Sequence, residues 1–201
     1  MRDYSNVERY LNKFQNDIYP QPEDEGHTTL AQEVITEWMT KMTTCKSVLD
    51  LGCGTAFCQP MFEEFGVGYT GITLGQDFIT ATGMGRNVKK MDYSFLDEFQ
   101  DESFDLLFSR HSLEHSPMPL LTLMEWYRVS KQWLGVILPA PEHFTFRGIN
   151  HYSVMTERQA ELCFQQAGFG VIWKNLKYHK SADETIPDVP FEFRYMLEKL
   201  R

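Results

Sequence analysis

Apolar residues along this chain fall into two patterns. Between residues 28 and 42, Leu30, Val34, Ile35, Trp38 and Met42 share one helical face, with Thr28 or Thr29 as the cap. The run Ser47–Leu51 is instead short and nearly continuous, as in a buried strand. A helix is expected to start near Phe57 and to include residues 60–65, with Pro60 tolerated in its first turn. Residues 68–74 are β-rich and read as a second strand. Two glycines within residues 80–90 predict a short or irregular crossover. Residues 88–92 form a brief third strand, and residues 104–109 a strand covered on both faces. Then come a helix over 120–130 and a strand over 134–138 closed by Pro139 and Pro141. A helix over 156–167 ends at Gly168, and an antiparallel pair over 170–176 and 193–197 closes the pattern. This alternation predicts one α/β domain over residues 1–201, with a mostly parallel sheet covered on both faces. Ligands of such sheets sit at the carboxyl ends of the strands. Residues 1–26, polar and aromatic with Pro20 and Pro22, read as an N-terminal arm or lid.

The most informative stretch is Val48-Leu49-Asp50-Leu51-Gly52-Cys53-Gly54-Thr55-Ala56. An apolar strand ends at an acid and opens into Gly-x-Gly, a turn that lets backbone approach a ligand where a Cβ would clash. A helix beginning just beyond would point its first N–H groups at that ligand. Three more chemistry-bearing strand ends follow: Thr73-Leu74-Gly75-Gln76-Asp77, Met91-Asp92-Tyr93, and Ser109-Arg110-His111, the last leading into Ser112-Leu113-Glu114-His115.

Charge and cysteine content narrow the class. The net charge of −9 opposes binding to duplex nucleic acid. No apolar leader or membrane-length run is present, and Cys45, Cys53, Cys58 and Cys163 form no disulfide framework, so a cytoplasmic setting is expected. Cys53 reads as a small neutral filler of the turn.

Together these motifs resemble the class I S-adenosylmethionine-dependent methyltransferases of the type 11 kind, over roughly residues 47–176. The resemblance implies a Rossmann-like three-layer αβα sandwich whose seven-stranded sheet is parallel except for its last strand. It implies S-adenosyl-L-methionine as cofactor and S-adenosyl-L-homocysteine as product. The backbone of Leu51, Gly52, Cys53 and Gly54 would wrap the methionine part, with Asp50 on its amino group. Asp92 would take the adenine amino group, with Met91 and Tyr93 flanking the ring, while Ser109 and Arg110 would line the cofactor through main-chain groups. The family usually has an acid for the ribose where this chain has Thr73, so Gln76 or Asp77, next to Leu74, would complete that contact. Ala56 stands for the third glycine.

Methyl transfer to oxygen or nitrogen needs alignment and a proton acceptor. Candidates are His111, Glu114, His115 and His151, together with His143. Arg147 could hold an anionic substrate group, and Tyr4, Tyr10 and Tyr19 could wall the pocket. A small molecule or a saccharide is the expected acceptor, without a metal or a membrane. The Asn/Asp-Pro-Pro-Tyr motif of base-methylating enzymes is absent after the fourth strand.

Rival readings have specific obstacles. His111-x-x-Glu114-His115 fits a zinc-hydrolase pattern, yet Pro117 and Pro119 would cut its helix to a turn. A nicotinamide oxidoreductase needs a glycine where Phe57 stands and an acid where Thr73 stands. A non-catalytic binder of the same cofactor remains the alternative, because fold does not fix function.

Overall fold

The computed structural model describes residue 14 and residues 25–141, 150–179 and 188–200. The arm's Tyr4, Tyr10 and Tyr19, and the loop residues His143 and Arg147, lie outside the described residues.

Helix α1 (Glu25–Lys41) precedes β1 (Ser47–Leu51), α2 (Gln59–Glu63), β2 (Gly68–Thr73), α3 (Gly75–Gly83) and β3 (Val88–Lys90). Then follow β4 (Phe104–Arg110), a 3-10 turn (Leu113–His115), α4 (Pro119–Val129), β5 (Ser130–Pro139), α5 (Glu157–Ala167), β6 (Phe169–His179) and β7 (Val189–Lys199). The sheet order is β3-β2-β1-β4-β5-β7-β6. Strands β1 to β5 pair in parallel, and β7 runs antiparallel to both β5 and β6. The order reverses between β1 and β4, so the crevice for a ligand opens at their carboxyl ends.

Strand alternation sorts the core into two layers. Val48, Leu106, Phe108 and Ile137 pack with Val34, Ile35 and Trp38 of α1 and with Phe62 of α2. Leu49, Leu51, Leu107 and Leu138 face the other way, onto Trp126 of α4 and Phe164 of α5. Gly135 in β5 makes room for Trp38, because a Cβ there would lie 2.5 Å from the indole ring. Thr156 and Gln159 form a capping box at the start of α5, and Gly168 ends it at φ 100°.

Some boundaries depart from the sequence reading. The 80–90 crossover carries a real helix, α3, which starts earlier, at Gly75, and stops at Gly83 with Gly85 at φ 74°. Helix α2 starts at Gln59, not at Phe57, and spans five residues. Residues 52–58 form a wider turn than expected. In it, Ala56 sits at φ 62°, a left-handed conformation that costs a non-glycine residue about 1–2 kcal/mol.

Replacing Gly135 by alanine should push Trp38 off the sheet and cost about 1–3 kcal/mol, as overpacking does. Urea unfolding measures this; a midpoint equal to that of the wild type would mean that Trp38 is not seated on β5.

Candidate active site

The site begins where β1 ends. Asp50 is buried and accepts a 2.7 Å hydrogen bond from the Tyr69 hydroxyl. Burial pushes its carboxyl up to about 7, against the opposing effects of Tyr69 and Arg110. Gly52, at φ 73°, has no room for a side chain: a Cβ would meet that of Ser112 at 2.6 Å. Burial, foremost, also holds the Cys53 thiol well above its ordinary range, so it is a neutral filler and not a nucleophile. Asp50, the 52–55 turn, Phe57, Cys58, Phe108 and Arg110 line a cleft.

One expectation for the turn fails. The N–H groups of Gly52 and Cys53 both donate to the Ile72 carbonyl at 3.0 Å, and those of Gln59 and Met61 donate to the Ala56 and Cys58 carbonyls. The turn and the next strand consume these donors, so the start of α2 offers no open row of N–H groups.

Among the candidate ribose groups, Thr73 is buried, Leu74 half-buried and Gln76 exposed. Asp77 is buried in the first turn of α3, with Oδ2 3.8 Å from where a Cβ on Gly54 would stand. The carboxylate missing from the end of β2 thus reaches the glycine turn from four residues later. Asp92 is exposed, and its Oδ1 accepts the Ser94 N–H at 2.8 Å. Tyr93 packs edge-on to Trp126 and donates its hydroxyl to the Ser112 carbonyl at 2.8 Å.

Ser112 braces three strand ends. Its hydroxyl donates to the Leu51 carbonyl at 2.8 Å and lies 2.6 Å from the Ser109 hydroxyl, while its carbonyl takes Tyr93. Beside it, His111 holds φ 50°, with its N–H on the Ile137 carbonyl at 3.0 Å.

The sequence reading missed the partner of this corner, Glu192 on β7. Its carboxylate is fully buried and lies 2.7 Å from Arg110 Nη2, 2.9 Å from His111 Nε2 and 3.1 Å from Arg194 Nη2. Burial alone would raise this carboxyl, but His111, Arg110 and Arg194 hold it far below the usual range. Arg110, expected to line the cofactor through its main chain, commits its guanidinium to Glu192. Glu192 fell just outside the predicted strand over 193–197. The available signal was Glu-x-Arg, two charges on one face of an apolar strand. Tyr69 and Ser112 were missed as well.

On the other side of His111, Nδ1 lies 3.5 Å from Glu114 Oε1, a distance for an ion pair and longer than a hydrogen bond. Burial lowers the affinity of His111 for a proton, but facing Glu114 and Glu192 outweighs burial and its pKa is raised. Glu114 is buried and also would be raised by burial, yet His111 and then His115 bring it below its usual value. His115 is lowered, first by burial, and its Nδ1 lies 3.0 Å from the Asn150 carbonyl. The His115 and His151 rings meet edge-on at 4.6 Å. The structure therefore brings His111, Glu114, His115 and His151 into one cluster. Phe14, in the segment read as an arm, packs edge-on against Tyr152 at 4.7 Å, next to His151.

The hydrolase helix does not form. The 3-10 turn has three residues and ends at Ser116 in extended backbone, as a following proline requires. His111, in left-handed backbone before it, does not share a helical face with His115.

A methyltransferase-domain family model matches residues 49–133. A structure of a SAM-dependent methyltransferase from Archaeoglobus fulgidus superposes with TM-score 0.70 at 16% identity, covering 98% of this chain and 100% of that one. Magnesium protoporphyrin IX methyltransferase (ChlM) from Synechocystis PCC 6803, with bound SAM, gives 0.66 at 13%, covering 99% and 98%. The [4+2]-cyclase SpnF gives 0.67 at 18%, covering 98% and 93%. No curated protein sequence matches the chain significantly. Residues 49–133 thus resemble a methyltransferase domain, and the seven-stranded sheet has the fold of the class I S-adenosylmethionine-dependent methyltransferases. The family's cofactor is S-adenosyl-L-methionine. The cyclase shows that the fold alone does not select methyl transfer.

The Asp50 pKa sets a pH dependence. A carboxyl raised on folding costs stability as pH climbs from about 3.9, its unfolded value, through about 7. Asp50→Asn should therefore resist urea better than the wild type at pH 8, by on the order of 2–4 kcal/mol, with the gap narrowing at pH 5. A gap independent of pH would refute this.

Proposed function

We propose that this protein transfers a methyl group from S-adenosyl-L-methionine to an oxygen or nitrogen atom of a small molecule or saccharide. The observation that carries the reading is the β1 turn: Gly52 without room for a Cβ, Asp50 buried beneath it, and Asp77 across from Gly54. Asp50, ionised by the arriving ammonium group, would hold the methionine end against the backbone of Leu51, Gly52, Cys53 and Gly54. Asp77 would hold the ribose in place of an acid at Thr73, with Leu74 beside it and the exposed Gln76 playing a lesser part. Asp92 would keep its second oxygen for the adenine amino group, with Tyr93 along the ring. The bound cofactor supplies an electrophilic methyl carbon.

Ser109 and Ser112 would fix the floor on which cofactor and acceptor meet. His111 would act as a positioning group: with carboxylates on both ring nitrogens it favours its protonated form and keeps Glu114 ionised. The acceptor end would be the cluster of Glu114, His115 and His151. The net charge of −9 supports an acceptor other than duplex nucleic acid.

Calorimetric titration with S-adenosylhomocysteine tests the cofactor assignment. One molecule should bind per chain. At pH 6, where free Asp50 carries its proton, binding should release close to one proton. Heats that do not depend on the buffer's ionisation enthalpy would remove Asp50 from the ammonium site. Asp77→Ala should weaken binding about tenfold or more, the range for stranding a polar partner, and Gln76→Ala much less. The reverse order would move the ribose contact to Gln76.

A further inference from the structure

Glu114 presents an unusual balance of burial and satisfaction. It is 1% exposed, yet neither carboxylate oxygen has a hydrogen-bond partner among the described residues. A buried carboxylate in that state is costly unless a cation meets it. One oxygen faces the His111 imidazole at 3.5 Å, but that ring is already closer to Glu192, at 2.9 Å.

On its other side Glu114 meets two imidazoles. One ligand atom each from Glu114, His115 and His151 lies within 4.8 Å of the other two. Ligand atoms around one ion at about 2.1 Å stand roughly 3–4 Å apart, so small side-chain rotations close the set. The imidazole of His115 is already oriented. A carbonyl only accepts, so Nδ1 carries the proton that bonds Asn150, which makes Nε2 the ring atom with a lone pair. The segment that carries His151 is fastened to the 3-10 turn: the Ser153 N–H donates to the Glu114 carbonyl at 2.9 Å, and its hydroxyl to the Ser116 carbonyl at 2.5 Å.

We propose that Glu114, His115 and His151 form a binding site for a divalent first-row transition cation. Two imidazoles and one carboxylate favour manganese, iron, cobalt or zinc over magnesium and calcium, which prefer all-oxygen shells. Three protein ligands leave coordination positions open to an oxygen of a substrate or of water. The site departs from the metal-free expectation drawn from the sequence. It also differs from the hydrolase pattern there: His151 takes the place of His111, which is committed to Glu192.

The test is metal binding itself. Full-length protein stripped with chelator is titrated with Mn²⁺, Co²⁺, Zn²⁺ and Mg²⁺ by calorimetry. The expected result is one transition ion per chain, Mg²⁺ at least tenfold weaker, and at least a tenfold loss of affinity in Glu114→Gln and in His151→Ala. His151 is half-buried, so its alanine variant should melt at the wild-type temperature and keeps the test decisive if Glu114→Gln fails to fold. Absence of stoichiometric binding, Mg²⁺ binding as tightly, or wild-type affinity in a folded His151→Ala would each overturn the site. S-adenosylhomocysteine titrated into the same preparation separates the two conclusions: a protein that binds that compound but none of the metal ions overturns this site and leaves the methyltransferase reading standing.

Discussion

The buried carboxylate of Glu192 is the interaction on which the rest of the site depends. Taking a carboxylate out of water costs several kcal/mol even after relaxation, and only close, well-directed partners offset it. Here two guanidiniums and an imidazole converge on it. Each comes from a position that matters: Arg110 ends β4, His111 begins the turn toward the histidine cluster, and Arg194 lies two residues along β7. The left-handed backbone of His111 is held in place by its ring on Glu192 and its N–H on the Ile137 carbonyl. Local strain is therefore maintained by an ion network, and the network by the register of β5 with β7, which pairs Ile137 with Arg194 and Pro139 with Glu192.

Ser112 adds a second, neutral brace. Through a hydroxyl and a carbonyl it joins the end of β1, the loop after β3 and the end of β4. Its Cβ also fills the space that a side chain at residue 52 would need. The glycine turn is thus shaped from both sides, by its own backbone and by a neighbour that leaves no alternative.

Much of this was legible in the sequence because it is local. Period and capping chemistry place β1, α5 and the αL residue Gly168, and the Gly-x-Gly turn marks the ligand end of the sheet. What was not legible rests on contacts across long separations. Nothing near Arg110 announces a glutamate 82 residues away. Asp77 comes near the Gly54 turn only because α3 begins at Gly75 and turns that carboxylate back toward it. The first N–H groups of the helix beyond the turn looked available for a ligand, and it is pairing with the Ala56 and Cys58 carbonyls that removes those of Gln59 and Met61. His151 joins Glu114 through a loop whose fastening, Ser153, has no sequence signature.

The antiparallel placement of β7 gives the chain a temporal order. The strand inserted between β5 and β6 follows both of them in the chain, although it occupies an interior position in the sheet. During synthesis, the glycine turn, Arg110, His111 and the histidine cluster all exist before Glu192 does. Until β7 arrives, β5 and β6 have no partner between them and Arg110 and His111 lack the Glu192 carboxylate. The glycine turn can gather first, but the corner around Arg110 and His111 is complete only when this strand docks.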